Sequence, residues 1–290
     1  MRHHLLTLAA AVVIAFLLIQ SYLPRGAAVE AKESVYERVL RTGTIRCGYR
    51  SWEPNVVKDP NTGELSGIVY DVTMEMANRL SLKVEWVEEL GATDFITALQ
   101  TERIDLMCYG IWPNAPRARG VDFVSPIYFD VVQPFVQIGE RRFDNNVAAI
   151  NDPTVVVGVI DGSPGSAIAK IDFSNAKMAA LTEMHNGADL FLELATGKVD
   201  VIFSDLYSAH RYMALHPNKI RQVLTEQPIR IYGASMAIKK DQEALKSMLF
   251  YTLEEMRYAG VIEKIIQKHE KYPGSFYRTA KPYQPAPVKE

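Results

Sequence analysis

A cation and an anion follow two similar stretches of this chain. Residues 94–110 and 189–205 align without a gap. Each stretch predicts a capped amphipathic helix, a tight turn, an aspartate and a short apolar run typical of a buried strand. Arg117 comes shortly after the first apolar run, and Asp205 ends the second. A guanidinium binds a carboxylate through two directional hydrogen bonds, so the pair would suit a small zwitterion.

The internal repeat predicts two similar α/β lobes. Ligands of open parallel sheets bind outside the carboxyl ends of the strands, which places Arg117 and Asp205 at one shared cleft. Gly110 is the repeat partner of Asp205, so the strand pattern itself does not require a carboxylate there. Asp105 and Asp200 occupy matching positions in both copies, and we expect them to stabilise the turn before each strand.

Two extended runs, residues 128–138 and 229–238, connect the predicted lobes. One carries the chain out of the first lobe and the other carries it back, so the second lobe is an insertion and the runs are hinge strands. The first lobe is predicted to comprise residues 35–127 and 232–272, and the second lobe residues 134–226. Residues 273–290 show no periodicity and are interpreted as a C-terminal tail.

Composition excludes several classes of protein. The 290 residues suffice for two domains, and 48% hydrophobic with 23% charged residues is an ordinary globular balance. The net charge of -2 provides no general attraction to nucleic acid, so no nucleic-acid partner is expected.

Residues 1–31 have the pattern of a secretory signal. A basic start precedes an apolar run from Leu5 to Ile19, and Val29-Glu30-Ala31 fits a cleavage site. The alternative is an uncleaved inner-membrane anchor reaching to Leu23. Under either interpretation the rest of the chain lies outside the cytoplasm, in the periplasm.

The two cysteines, Cys47 and Cys108, lie in predicted strands of the first lobe. We expect buried thiols that pack as small hydrophobic groups, and a disulfide in an oxidising compartment is the alternative. No Cys-x-x-Cys motif is present, and His185, His210 and His216 lack metal-ligand spacing. No metal or cofactor is therefore expected.

The segment from Gly110 to Tyr128 resembles a family signature. It reads Gly110-Ile-Trp-Pro-Asn-Ala-Pro-Arg117, then Val121-Asp-Phe-Val-Ser-Pro-Ile-Tyr128. The signature is Gly-x-Thr-x-Thr-x-x-Arg followed by Val-Asp-Phe-Ser-x-Pro-Tyr, in the extracytoplasmic solute-binding proteins (family 3) of polar amino-acid ABC transporters. Other matches cover most of residues 35–272. The resemblance implies the periplasmic-binding-protein type 2 fold, in which each lobe is a mostly parallel sheet flanked by helices and two hinge strands join the lobes.

The resemblance also implies roles for single residues. Arg117 would bind the ligand α-carboxylate, and Asp205 would accept the α-ammonium group. Asp205 could at the same time cap the helix that starts at the next residue. Gly110 would offer backbone groups, Ser163 would donate a hydrogen bond to the carboxylate from the second lobe, and Trp52 would cover the ligand side chain.

Other positions depart from the family pattern or determine specificity. Tyr49 falls where the family selects the ligand side chain. Trp112 replaces a hydroxyl residue that helps to bind the carboxylate, and indole offers one donor and no acceptor. Pro164 falls where the family often uses a backbone N–H, which proline lacks. Ala92 falls where an aromatic ring often stacks, so Trp112 is expected to fill that volume or to lie in the core.

The leading hypothesis is a binding protein without catalytic residues. It would capture a small carboxylated solute, an amino acid or a relative, by closing its lobes, and deliver it to an ABC permease in the inner membrane. One alternative is a sensory module that reports its ligand to a membrane partner. Another is an enzyme similar to the cyclohexadienyl dehydratases, which act on carboxylated rings such as prephenate or arogenate. That enzyme would need a general acid, for which Glu53 and Asp205 are the candidates.

Overall fold

The computed structural model describes residues 14–15, 33–91, 93–182 and 187–278. Its helices from residue 35 on are α1 Val35–Thr42, α2 Ile68–Arg79, α3 Asp94–Gln100, α4 Ala115–Ala118, α5 Pro164–Asp172, α6 Gly187–Ala195, α7 Leu206–Leu215, α8 Glu243–Tyr258 and α9 Val261–His269. Its strands are β1 Thr44–Tyr49, β2 Val57–Lys58, β3 Leu65–Ser66, β4 Lys83–Glu89, β5 Leu106–Ile111, β6 Val121–Phe123, β7 Tyr128–Gln137, β8 Val156–Ile160, β9 Lys177–Leu181, β10 Val201–Asp205, β11 Ile220–Gln222, β12 Arg230–Lys239 and β13 Phe276–Tyr277.

The main sheet passes from one lobe to the other through two long strands. Its order is β4-β1-β5-β12-β7-β10-β8-β9. The outer pairs β1–β4, β1–β5, β8–β10 and β8–β9 are parallel. The central strands β7 and β12 are antiparallel and pair Asp130 with Tyr232. These two strands coincide with the predicted hinge runs.

The internal repeat is present as two helix–strand units, α3–β5 and α6–β10. The repeated aspartates make equivalent bonds, because Asp105 Oδ2 accepts from Arg46 N at 2.8 Å and Asp200 Oδ2 accepts from Val156 N at 2.8 Å. Each carboxylate therefore ties its turn to the start of the neighbouring strand, β1 or β8. This explains why both copies carry aspartate at this position.

Periodic burial accounts for the elements that flank the site. In α2 the residues Ile68, Val69, Val72 and Met76 are buried, at the spacing of one helix face. In β4 exposed and half-buried residues alternate along the strand. Separate groups of buried side chains lie on the two sides of the hinge strands, one around Val72 and Leu106 and another around Val157 and Val201.

A disulfide joins Cys47 to Cys108, with their Cα atoms 5.5 Å apart. The expectation of two buried free thiols is therefore wrong, although both residues are indeed buried. Cys47 lies on β1 and Cys108 on β5, which are neighbouring parallel strands. The sequence alone does not reveal the register of the two strands, which brings the Cα atoms to a separation that a disulfide can bridge.

The start of the predicted tail belongs to the folded unit. Phe276 is 4% exposed and, on β13, pairs with Asp130 of β7. Its ring packs against Tyr128 at 4.7 Å and Tyr207 at 5.6 Å between centroids. The interpretation of residues 273–290 as a tail is thus corrected for residues 273–278. Two residues of contact are too few to produce a periodic pattern in the sequence.

Among the described residues, no helix has the length and apolar character needed to cross a membrane. Residues 1–13 and 16–32, which hold almost all of the predicted signal segment and its cleavage site, lie outside the described residues. The same is true of Ala92, His185 and residues 279–290.

Candidate ligand-binding site

A cavity lies beside the carboxyl ends of β5 and β10, as the strand topology predicts. Both lobes contribute to it. Six of the predicted site residues line the cavity: Trp52, Gly110, Trp112, Arg117, Ser163 and Asp205. It is also lined by aromatic side chains that were not predicted: Phe95, Tyr109, Phe191, Phe203 and Phe276. The structure therefore brings the candidate cation and anion to one cavity whose wall includes seven aromatic side chains.

Arg117 is held by its own loop. The short helix α4 is capped by Asn114, whose Oδ1 accepts from Arg117 N at 3.0 Å. The guanidinium donates from Nη1 to the carbonyl oxygen of Trp112 at 2.9 Å, and its Cζ lies 5.8 Å from the ring centroid of Phe95. Burial lowers the pKa of Arg117 from its ordinary value. An arginine remains charged under these conditions, so the cavity contains a partly desolvated cation.

Asp205 both ends β10 and caps α7. Its Oδ1 accepts from Ser208 N at 2.8 Å. Burial raises the pKa of Asp205, and the bonds from the helix N-terminus act in the opposite direction. The capping role that the sequence allowed is present, and it also fixes the carboxylate at the cavity wall.

Ser163 has a matching position on α5. Its Oγ accepts from Ser166 N at 3.2 Å as the helix cap, and Pro164 follows at the first helical position. A hydroxyl that accepts this bond still has its proton to donate. Ser163 can therefore donate to a ligand oxygen while it caps the helix.

Gly110 and Trp52 lie where close approach matters. A Cβ atom at Gly110 would come within 2.3 Å of Asn55 Oδ1, so a larger residue there would have to displace the Asn55 side chain. Asn55 Oδ1 in turn accepts from Tyr128 Oη at 2.6 Å. The Trp52 ring lies against Gly187 of α6, where an added Cβ would come within 2.9 Å of the indole. Trp52 thus contacts the second lobe directly.

Trp112 is committed to a partner that the sequence did not reveal. Its indole Nε1 donates to Asp130 Oδ2, and its ring stacks on Tyr232 with centroids 4.9 Å apart. Asp130 is 5% exposed and lines the cavity from β7. Burial raises the pKa of Asp130 well above its ordinary value, and the negative charge of Asp205 acts in the same direction. At the position where the family pattern has a hydroxyl residue, this chain therefore has an indole that is hydrogen-bonded to a buried carboxyl group.

Tyr49 packs into a buried core beside β1, and its role in specificity stays a prediction. Its side chain is 7% exposed and packs edge-on against Trp86, with centroids 5.9 Å apart, and it does not line the cavity. The next residue, Arg50, lines the cavity instead. Successive side chains of a strand point to opposite sides. A charged residue just past the carboxyl end of β1 is therefore the feature of the sequence that indicated the cavity-lining position.

Glu53 connects the loop after β1 to α7 of the second lobe. Its Oε1 accepts from Tyr207 Oη at 3.0 Å, and its Oε2 lies 3.1 Å from Arg211 Nε. Burial, followed by the charge of Glu53, raises the pKa of the Tyr207 hydroxyl above its ordinary value. The tyrosine therefore stays a hydrogen-bond donor, and the contact joins the two sides of the cavity.

Comparison with known proteins identifies the class. The family model of the bacterial extracellular solute-binding proteins, family 3, matches residues 45–271. The chain belongs to this family. The family resemblance inferred from the sequence is thereby confirmed, as is the two-lobed α/β fold class.

The similar proteins include an enzyme as well as amino-acid-binding proteins. The cyclohexadienyl dehydratase of Pseudomonas aeruginosa is 23% identical over 246 residues, covering 85% of this chain and 90% of the relative. A probable histidine-binding protein of Neisseria gonorrhoeae is 26% identical over 214 residues, covering 71% of this chain and 75% of the relative. The crystal structure of an ancestral amino acid-binding protein, described as a precursor of cyclohexadienyl dehydratase, superposes with a TM-score of 0.70. It shares 26% identity and covers 82% of this chain and 100% of its own.

Proposed function

We propose that this protein captures a small carboxylated solute, an amino acid or a close relative, between its two lobes and delivers it to an ABC permease. The observation that carries the proposal is the placement of Arg117 and Asp205 in one cavity, from opposite sides of the hinge. Arg117 would bind the α-carboxylate through a bidentate hydrogen bond. Asp205 would accept the α-ammonium group, and Ser163 would donate to the carboxylate.

Lobe closure is part of this proposal. We assign residues 35–127 and 232–272 to the first lobe and residues 134–226 to the second, with β7 and β12 as hinges. In this proposal, the contacts of Glu53 with Tyr207 and Arg211 are ones that would form only when the lobes meet. A ligand that bridges Arg117 and Asp205 would favour the same closed state, because it too touches both lobes. Membership of the family supports an extracytoplasmic location, and residues 1–31 would direct the chain there.

A thermal-shift screen of amino acids, keto acids and aromatic acids tests the proposal. A ligand present at a hundredfold excess over its dissociation constant stabilises the folded protein by about 2.7 kcal/mol. At least one carboxylated solute should raise the melting temperature, and its methyl ester should not. If no carboxylated solute stabilises the protein, or if ester and acid act equally, the proposal fails.

Asp130 favours a second candidate, an enzyme related to cyclohexadienyl dehydratase. A dehydration needs a proton donor at the leaving hydroxyl, and the raised pKa of Asp130 favours its protonated form. Glu53, an earlier candidate for this acid, is instead paired with Arg211. Formation of phenylpyruvate from prephenate, abolished by Asp130→Asn, would establish this candidate. Absence of turnover by the native protein would remove it.

A further inference from the structure

Two guanidinium groups share the cavity, although a simple amino acid offers only one carboxylate. Arg50 reaches it from the end of β1, and Arg117 from α4. Burial lowers the pKa of Arg117, and the positive charge of Arg50 adds to that effect. Two like charges that face one partly desolvated space repel each other. An anion placed between them relieves this repulsion.

Arg50 is held in place by an aromatic ring. Its Cζ lies 5.7 Å from the ring centroid of Trp52, which is cation–π geometry. Within the ranges that the structure describes, no carboxylate forms an ion pair with Arg50. Its hydrogen-bonding groups are therefore positioned at the cavity without an internal counter-charge.

The carboxylates that line the cavity do not neutralise both arginines. Glu53 is paired with Arg211. Asp161 is exposed at the rim, where solvent screens its charge. Asp130 is buried, its Oδ2 accepts from Trp112 Nε1, and burial raises its pKa above the ordinary value. Asp205 remains, and the proposed function assigns it to the ligand's ammonium group. One positive charge is left over.

We propose that Arg50 binds a second acidic group of the ligand, so that the site selects an amino acid-like solute with two acidic groups over its neutral analogue. This inference rests on the proposed function, in which Arg117 takes the first carboxylate. The guanidinium of Arg50 can bind a planar acidic group through directional hydrogen bonds. The Trp52 ring holds this guanidinium in the binding orientation before the ligand arrives. The aromatic walls pack the carbon skeleton between the two arginines.

Matched pairs of ligands, titrated calorimetrically into the native protein, test the charge preference. The pairs are L-glutamate with L-glutamine, L-aspartate with L-asparagine, and L-4-carboxyphenylalanine with L-phenylalanine. The members of the first two pairs are nearly equal in size and differ by one negative charge, and the third pair differs by an added carboxylate. In at least one pair the acidic member should bind about 10- to 100-fold more tightly, as expected for a hydrogen bond between charged groups.

Arg50→Gln provides the second arm, with Arg119→Gln as its matched control. Arg119 is exposed, lies in the same loop as Arg117 and does not line the cavity. Arg50→Gln should remove the preference for the acidic member, while the neutral member changes by less than about 3-fold. Arg119→Gln should leave the preference intact. A thermal melt of each variant shows whether it is folded.

The possible outcomes separate the two proposals. If in every pair the neutral member binds as tightly as its acidic partner, this inference is overturned and the proposed function stands. If the preference exists but survives in folded Arg50→Gln, Arg50 is not its source and the inference is likewise overturned. If no carboxylated solute binds at all, the proposed function fails as well. The comparison on the native protein stays decisive even if Arg50→Gln does not fold.

Discussion

Single side chains at the cavity combine a structural and a binding role. Asp205 and Ser163 each cap a helix of the second lobe, and each lines the cavity. The caps hold the two oxygens in fixed positions before any ligand arrives, which lowers the entropic cost of binding. The same bonds place the positive ends of α5 and α7 at the cavity. The second lobe thus combines a carboxylate for an ammonium group with donors suited to a carboxylate.

Arg117→Lys should lose most ligand affinity while remaining folded. Lysine keeps the charge but cannot form the two parallel hydrogen bonds of the guanidinium. We expect affinity for the solute identified by the screen to fall by about 100-fold or more. Isothermal titration calorimetry measures this change, with Arg119→Lys as the control that should bind like the native protein. Near-native binding by Arg117→Lys would disprove the assignment.

Asp130 should make stability depend on pH in a defined direction. Its pKa in the folded protein is raised from 3.8 by burial, so the folded state holds the proton more tightly than the unfolded state. The stabilisation is complete below pH 3.8 and is lost as the pH rises through the folded pKa. Asn cannot ionise, so Asp130→Asn should be more stable than the native protein at pH 8 and lose this advantage at pH 5.

Urea unfolding of both proteins at the two pH values measures this difference. Asp161→Asn is a suitable control, since Asp161 is exposed and its neutralisation should not change the pH dependence. An Asp130→Asn variant that is equally destabilised at pH 5 and pH 8 would show that Asp130 is ionised and paired in the folded state.

At the scale of elements, patterns that repeat along the chain were predictable. The α3–β5 and α6–β10 units were visible in the sequence because helix faces and buried strands have a regular apolar period. Both hinge strands were likewise visible as long extended runs. Arg117, Asp205 and Trp52 line the cavity because they follow the carboxyl ends of strands, which is a rule of topology.

Features that depend on register were not predictable. Asp130 lies inside a mostly apolar hinge strand, and only its pairing with Tyr232 and its bond to Trp112 show which way it faces. Tyr49 and Arg50 are neighbours, and a one-residue difference decides which of them faces the cavity. Strand β13 consists of two residues, too few for any period.

The disulfide between β1 and β5 should stabilise the first lobe. It closes a loop of 61 residues, so its loss releases chain entropy in the unfolded state. The free energy of unfolding of the double variant Cys47→Ala/Cys108→Ala should be about 2–4 kcal/mol lower than that of the native protein. Reductant should lower the melting temperature of the native protein and not that of the double variant. An unchanged melt of the native protein under reductant would contradict this role.

At the level of the whole molecule, the proposed function requires the lobes to move about β7 and β12. Small-angle X-ray scattering should show a smaller radius of gyration with ligand than without it. Glu53→Gln removes the ion pair with Arg211 and should weaken ligand binding by about 2- to 5-fold, as is usual for a partly exposed pair. Glu64→Gln, at an exposed position outside the cavity, should change neither the ligand affinity nor the decrease in the radius of gyration. Equal radii with and without ligand would exclude closure.

The most direct measurement is a crystal structure of the protein with the tightest ligand from the screen. We expect a ligand carboxylate within hydrogen-bond distance of the Arg117 guanidinium, and the ligand's amino group facing the carboxylate of Asp205 across the cavity. A ligand bound with its carboxylate away from Arg117, or bound outside this cavity, would contradict the account.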